Sequence, residues 1–109
     1  MDFDYPNLIG SLSDEERLRF YETLAHNLTV SVRAIWSDDD LSDAEKVEGM
    51  KWLNEIMHGV TQKATALRLG RNDFSEEASW EAITHWARQN SMFSSLVGWA
   101  IKTSYESCR

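Results

Sequence analysis

Between Ser42 and Gly70 the sequence carries a start signal, a period and a stop signal for one long helix, and no other stretch restricts the fold as strongly. Ser42 followed three residues later by Glu45 is a capping box, in which each side chain satisfies a backbone donor that the first turn leaves open. Asp43 and Glu45 also face the positive end of the helix dipole. Val47, Met50, Leu53, Met57, Val60, Ala64 and Leu67 recur at spacings of three and four, the repeat of a single helix face. Gly70 then supplies the left-handed residue on which such a helix stops. Gly49 and Gly59 interrupt the pattern at about 1 kcal/mol each relative to Ala, which fits places where a neighbouring helix comes close.

The preceding stretch repeats this grammar. Ser13 and Glu16 form a second capping box, and Leu18, Tyr21, Ala25, Leu28, Val32 and Ile35 hold one face to about Trp36. The short link Ser37-Asp38-Asp39-Asp40-Leu41 makes the two long helices antiparallel neighbours. Ser75 is the cap of a shorter third helix, with Glu76 and Glu77 in its first turn and Trp80, Ile83, Trp86 and Ala87 turned inward. Asn90 and Ser91 separate it from a fourth, Met92 to about Tyr105, unless residues 76–105 form one bent helix. Residues 1–12 read as an extended or turn-like lead, because Pro6 disfavours helix at Tyr5 and Gly10 is a helix breaker.

No strand alternation or repeat is visible. The expected fold is all-α: a four-helix bundle-like single domain over residues 13–109, with two long antiparallel helices and two shorter ones. Its 109 residues suffice for one core.

A net charge of -7 makes nucleic-acid phosphates and anionic membrane surfaces poor direct partners. The imbalance is local, since residues 1–50 hold twelve acids against four bases and residues 51–109 six against seven. Cys108 is the sole cysteine, so no intramolecular disulfide forms and a reducing compartment fits; it is expected as a frayed, unreactive terminus. The opening Met1-Asp2-Phe3-Asp4-Tyr5-Pro6 has acids where a signal peptide carries basic residues, and no apolar run approaches the ~20 residues of a membrane span. A cytoplasmic protein is expected.

Glu55 and His58 have the Glu-x-x-His spacing of di-iron bundles, yet such sites need a second copy of that motif, which is lacking. Glu22 with His26, and Glu81 with His85, share helix faces at a spacing of four. A metal- or small-ligand-binding bundle using His26, Glu55, His58 and His85 is therefore the rival reading, outweighed by exposed or structural pairs; no cofactor is expected. Asn54, His58, Thr61 and Thr65 form a polar stripe, read as hydrogen-bonded in or beside the core. Asp38, Asp40 and Ser42 suit the first positions of a calcium loop, but Asp43 stands where its glycine belongs and Gly49 where its bidentate Glu belongs. There remains an acidic tip, Asp38, Asp39 and Asp40, suited to docking on a basic protein surface.

The run Trp52-Leu53-Asn54-Glu55-Ile56-Met57-His58-Gly59-Val60, after an acidic helix start and before Phe74 to Trp86, resembles small all-helical bacterial proteins without an assigned activity. The resemblance covers mainly the central helix. It implies a bacterial-type helical fold and carries over no catalytic residue.

The apolar faces are wider than one contact needs: Trp52 lies beside Leu53, Ile56 beside Met57, and the fourth helix adds Met92, Phe93, Leu96, Val97, Trp99, Ala100, Ile101 and Tyr105. Such faces are either fully buried or cover a partner. The expected function is a small acidic protein–protein interaction module rather than an enzyme, homodimeric and binding another protein. Trp52, Ile56 and Trp99 would form the apolar interface, and Asp38 to Asp40 the charged tip. Inhibitors, antitoxins and phage-type regulators that cover a basic nucleic-acid enzyme belong to this class.

Overall fold

The computed structural model describes residues 5–71 and 91–108, which form four helices and, among these residues, no strand. They are α1 (Tyr5–Gly10), α2 (Asp14–Trp36), α3 (Asp43–Arg68) and α4 (Ser91–Cys108). The protein is all-α. The helix expected after Ser75, with Trp80, Ile83, Trp86 and Ala87, lies outside the described residues.

Both capping boxes form. Glu16 N donates to Ser13 Oγ at 3.2 Å while Ser13 N donates to Glu16 Oε1 at 3.0 Å. Ser42 and Glu45 repeat the exchange at 3.2 and 2.9 Å. The stop of α3 comes from Gly70 with equal economy. Its φ of 74° turns the chain so that Arg71 N reaches Ala66 O at 2.8 Å and Gly70 N reaches Leu67 O at 3.0 Å. Those two bonds are the Schellman arrangement, and they satisfy carbonyls that the helix end leaves open.

The lead departs from the expected extended form, because residues 5–10 are helical. Pro6 falls in the first turn, where its missing N–H takes no bond away and its fixed φ suits the helix. The helical period places Ile9 in the core, with Leu8 and Leu12 packed against it.

The organising element is α2. It packs extensively against both α3 and α4, which meet each other far less among the described residues. The row Phe20, Leu24, Asn27 and Ser31 is buried, and on α4 it meets Ser104, whose Oγ accepts from Asn27 Nδ2 at 2.9 Å. On the neighbouring flank, Glu22 Oε2 pairs with Arg68 of α3 at 2.8 Å, and the Thr29 hydroxyl lies 3.9 Å from Met57 Sδ. A helix serving two neighbours needs a broad buried arc. The single expected stripe, Leu18 to Ile35, is thus only one side of it: Tyr21, Leu28 and Ile35 are buried, and Leu18, Ala25 and Val32 are half-buried.

On α3 the buried face is turned relative to the expected one. Trp52, Leu53, Ile56, Val60, Ala64 and Leu67 are core, whereas Met57 is half-buried and Val47 stands in solvent. Lys63 is buried along its stem, and its Nζ lies 5.2 Å from the centre of the Tyr21 ring, a cation–π contact that keeps an ammonium group next to the core. Among the described residues Gly59 shows no close helix approach, since a Cβ added there would meet none of them within 4 Å. Cys108 is helical and buried rather than frayed, with Sγ 3.2 Å from Tyr105 O. No helix among the described residues is long and apolar enough to cross a membrane.

Candidate functional site

Helix geometry turns successive residues by about 100°, so a face centred on Trp52, Ile56 and Val60 leaves Val47, Met50, Asn54 and His58 on the side away from the core. That outer side has a neighbour in Trp36, the last residue of α2. Trp36 directly follows the buried Ile35, and the turn between adjacent residues carries its indole out of the core. Trp36 is 52% exposed and Val47 60% exposed. Together with Met50 they provide the apolar part of an open groove of about 840 Å³, whose remaining lining is Lys51, Asn54, Glu55 and His58.

The polar side is lightly tied. One His58 ring nitrogen, Nε2, lies 3.2 Å from Gln62 Nε2, one turn further along the same helix. Asn54, Glu55 and His58 are all exposed, as are Thr61 and Thr65. This corrects the reading of that stripe as a seam in or beside the core. The turn of α3 that buries Trp52 and Ile56 sends it into water.

Beside the groove lies the acidic loop. Asp38 Oδ1 accepts from Asp40 N at 2.9 Å, which folds the link back on itself and leaves Asp38, Asp39 and Asp40 exposed. From Arg33 to His58 the chain holds seven acids against three bases, a net charge of -4. Anything that settles in the groove meets this field at close range.

The residues singled out from the sequence divide three ways. Asn54, Glu55 and His58 are brought together, on the groove. Trp52 and Ile56, expected at an apolar interface, are each 5% exposed and belong to the core, so little of either is left to touch a partner. Trp99, on α4, is 47% exposed and keeps a surface to offer.

Among the described residues, the members of the metal set do not come together. His26 is exposed on α2, His58 is exposed on α3, and no group of three or more His, Cys, Asp or Glu side chains converges among the described residues. His85 lies outside them. The acidic loop gathers no such group either.

Sequence reasoning misses Trp36 and Val47 as surface residues and Met50 as part of the groove lining. By spacing alone Trp36 is the end of a helix, and the other two are members of the core stripe. A signal does exist: Ile35 and Trp36 are consecutive, and a helix cannot centre both on one buried face. Compared with protein-family models, curated proteins and solved structures, the chain matches none.

Proposed function

We propose that this chain is a non-enzymatic protein-interaction module of the cytoplasm, which engages another protein through the Trp36, Val47 and Met50 groove. One observation carries the reading: folding leaves Trp36 and Val47 exposed on a groove that the half-buried Met50 also lines, with polar groups in the rest of the lining. Binding surfaces have this composition, with aromatic and Met side chains at the centre and polar residues around them. The acidic first half suits a partner with a basic surface, as inhibitors of nucleic-acid enzymes require. The scaffold in this proposal is an antiparallel bundle. The Glu22–Arg68 and Thr29–Met57 pairs support it, because residue numbers rise along α2 as they fall along α3. Self-association belongs to the same reading, with Trp99 at the contact.

A photoreactive phenylalanine analogue at position 47 tests the groove. Irradiation in the source cells should yield a discrete adduct with another protein that rebinds the purified chain and is lost on Trp36→Ala. The same probe in place of the exposed Glu106 on α4 should not yield it. No adduct from position 47, or the same adducts from both positions, overturns the proposal.

A further inference from the structure

Resting on that reading, we infer that the occupant of the groove is an amphipathic helix of the partner, apolar on one face and flanked by Lys or Arg. The lining runs along α3 from Val47 to His58, which at 1.5 Å per residue is a trough of about 16 Å, or three helical turns. It is open rather than enclosed. A small ligand is held by a concavity that closes around most of its surface, whereas a helix laid on a trough needs only one covered face. The apolar contacts Trp36, Val47 and Met50 then receive side chains that recur at three and four along the partner.

Charge selects among helices. Seven acids against three bases between Arg33 and His58 repel a second copy of this stretch, an anionic membrane and a nucleic acid alike. The exposed Asp38, Asp39 and Asp40 lie in the link after Trp36, and Glu55 stands on the groove itself. Basic residues on both flanks of the bound helix meet these two positions. Lys51, the one lysine or arginine among the described residues of the lining, favours an acidic or amide group opposite it and so sets the register.

Fluorescence anisotropy with two labelled synthetic helices tests this, one built of Leu and Lys and the other with Glu at every Lys. The Leu–Lys helix should bind and the Leu–Glu helix should not. Trp36→Ala and, independently, Val47→Ser should each weaken the Leu–Lys helix about tenfold, with unchanged circular dichroism. Replacing Asp38, Asp39 and Asp40 by Asn should flatten the salt dependence, and Trp99→Ala should change nothing. Equal binding of both helices, equal binding of a Leu–Lys peptide shuffled to lose its apolar face, or Leu–Lys binding that survives both groove substitutions overturns the inference. If position 47 still cross-links a protein partner after such a result, the interaction module stands and only the basic helix is lost. Absence of that adduct removes the module itself.

Discussion

The Asn27 side-chain amide on α2 donates a 2.9 Å hydrogen bond to the Ser104 hydroxyl on α4, and both side chains are buried. The bond does not stand alone. Ser104 Oγ donates its own proton to Ala100 O at 2.6 Å, and Ser31 Oγ donates to Asn27 O at 3.1 Å. A buried polar pair between apolar helices is satisfied only when the helices sit in one register.

Breaking one half of that pair strands the other. Asn27→Ala should destabilise the protein by about 1–3 kcal/mol, because the Ser104 hydroxyl loses its donor in a place water does not reach. Adding Ser104→Ala should cost less than the sum of the two single changes. Urea denaturation of the four proteins in the cycle measures the coupling, and strict additivity would show that the two side chains do not act together.

Two tryptophans should respond to very different degrees. Trp52 is a core residue, so Trp52→Ala should cost about 3–5 kcal/mol. Trp36 leaves its indole half in water, so Trp36→Ala should cost about 1 kcal/mol or less. The comparison needs only denaturation midpoints with unchanged slope.

Gly59 and Gly70 make a second contrasting pair. Among the described residues a methyl group at either position meets nothing within 4 Å, so the backbone decides. Gly59 is inside a helix, and Gly59→Ala should stabilise by about 0.5–1 kcal/mol. Gly70 has a φ of 74°, and Gly70→Ala should destabilise by about 1–2 kcal/mol. Thermal unfolding followed by circular dichroism reads both signs.

Self-association through α4 predicts a dimer in light scattering that Trp99→Ala shifts towards monomer while Trp36→Ala does not. A monomer at every concentration tested would remove the homodimer and leave the groove unaffected.

The part of this fold that is legible in the sequence is the local part. Ser13 with Glu16, Ser42 with Glu45, and Gly70 each act within a few residues, and each forms the cap its spacing implies. Which side of a helix is buried depends instead on how many neighbours it has and where they lie. A three-four repeat picks out Val47 and Met50 as readily as Trp52 and Ile56, and only the packing of α3 on its neighbours separates the pairs. The same gap governs the site. Asn54, Glu55 and His58 are legible as a shared polar stripe, but the apolar wall that makes them part of a groove includes Trp36 from another helix. Pro6 illustrates a narrower limit, since one residue type both ends helices and begins them, and the difference at α1 lies in whether Ile9 finds a core to enter.

The central position of α2 determines how the molecule comes apart. Amides in the middle of α2 are enclosed from two sides, so deuterium should enter them only when the whole protein opens, later than it enters the outer turns of α3 around His58. A guest that grips the groove would then be felt at the far flank chiefly through this shared spine, as slower exchange on α4 without any contact to it.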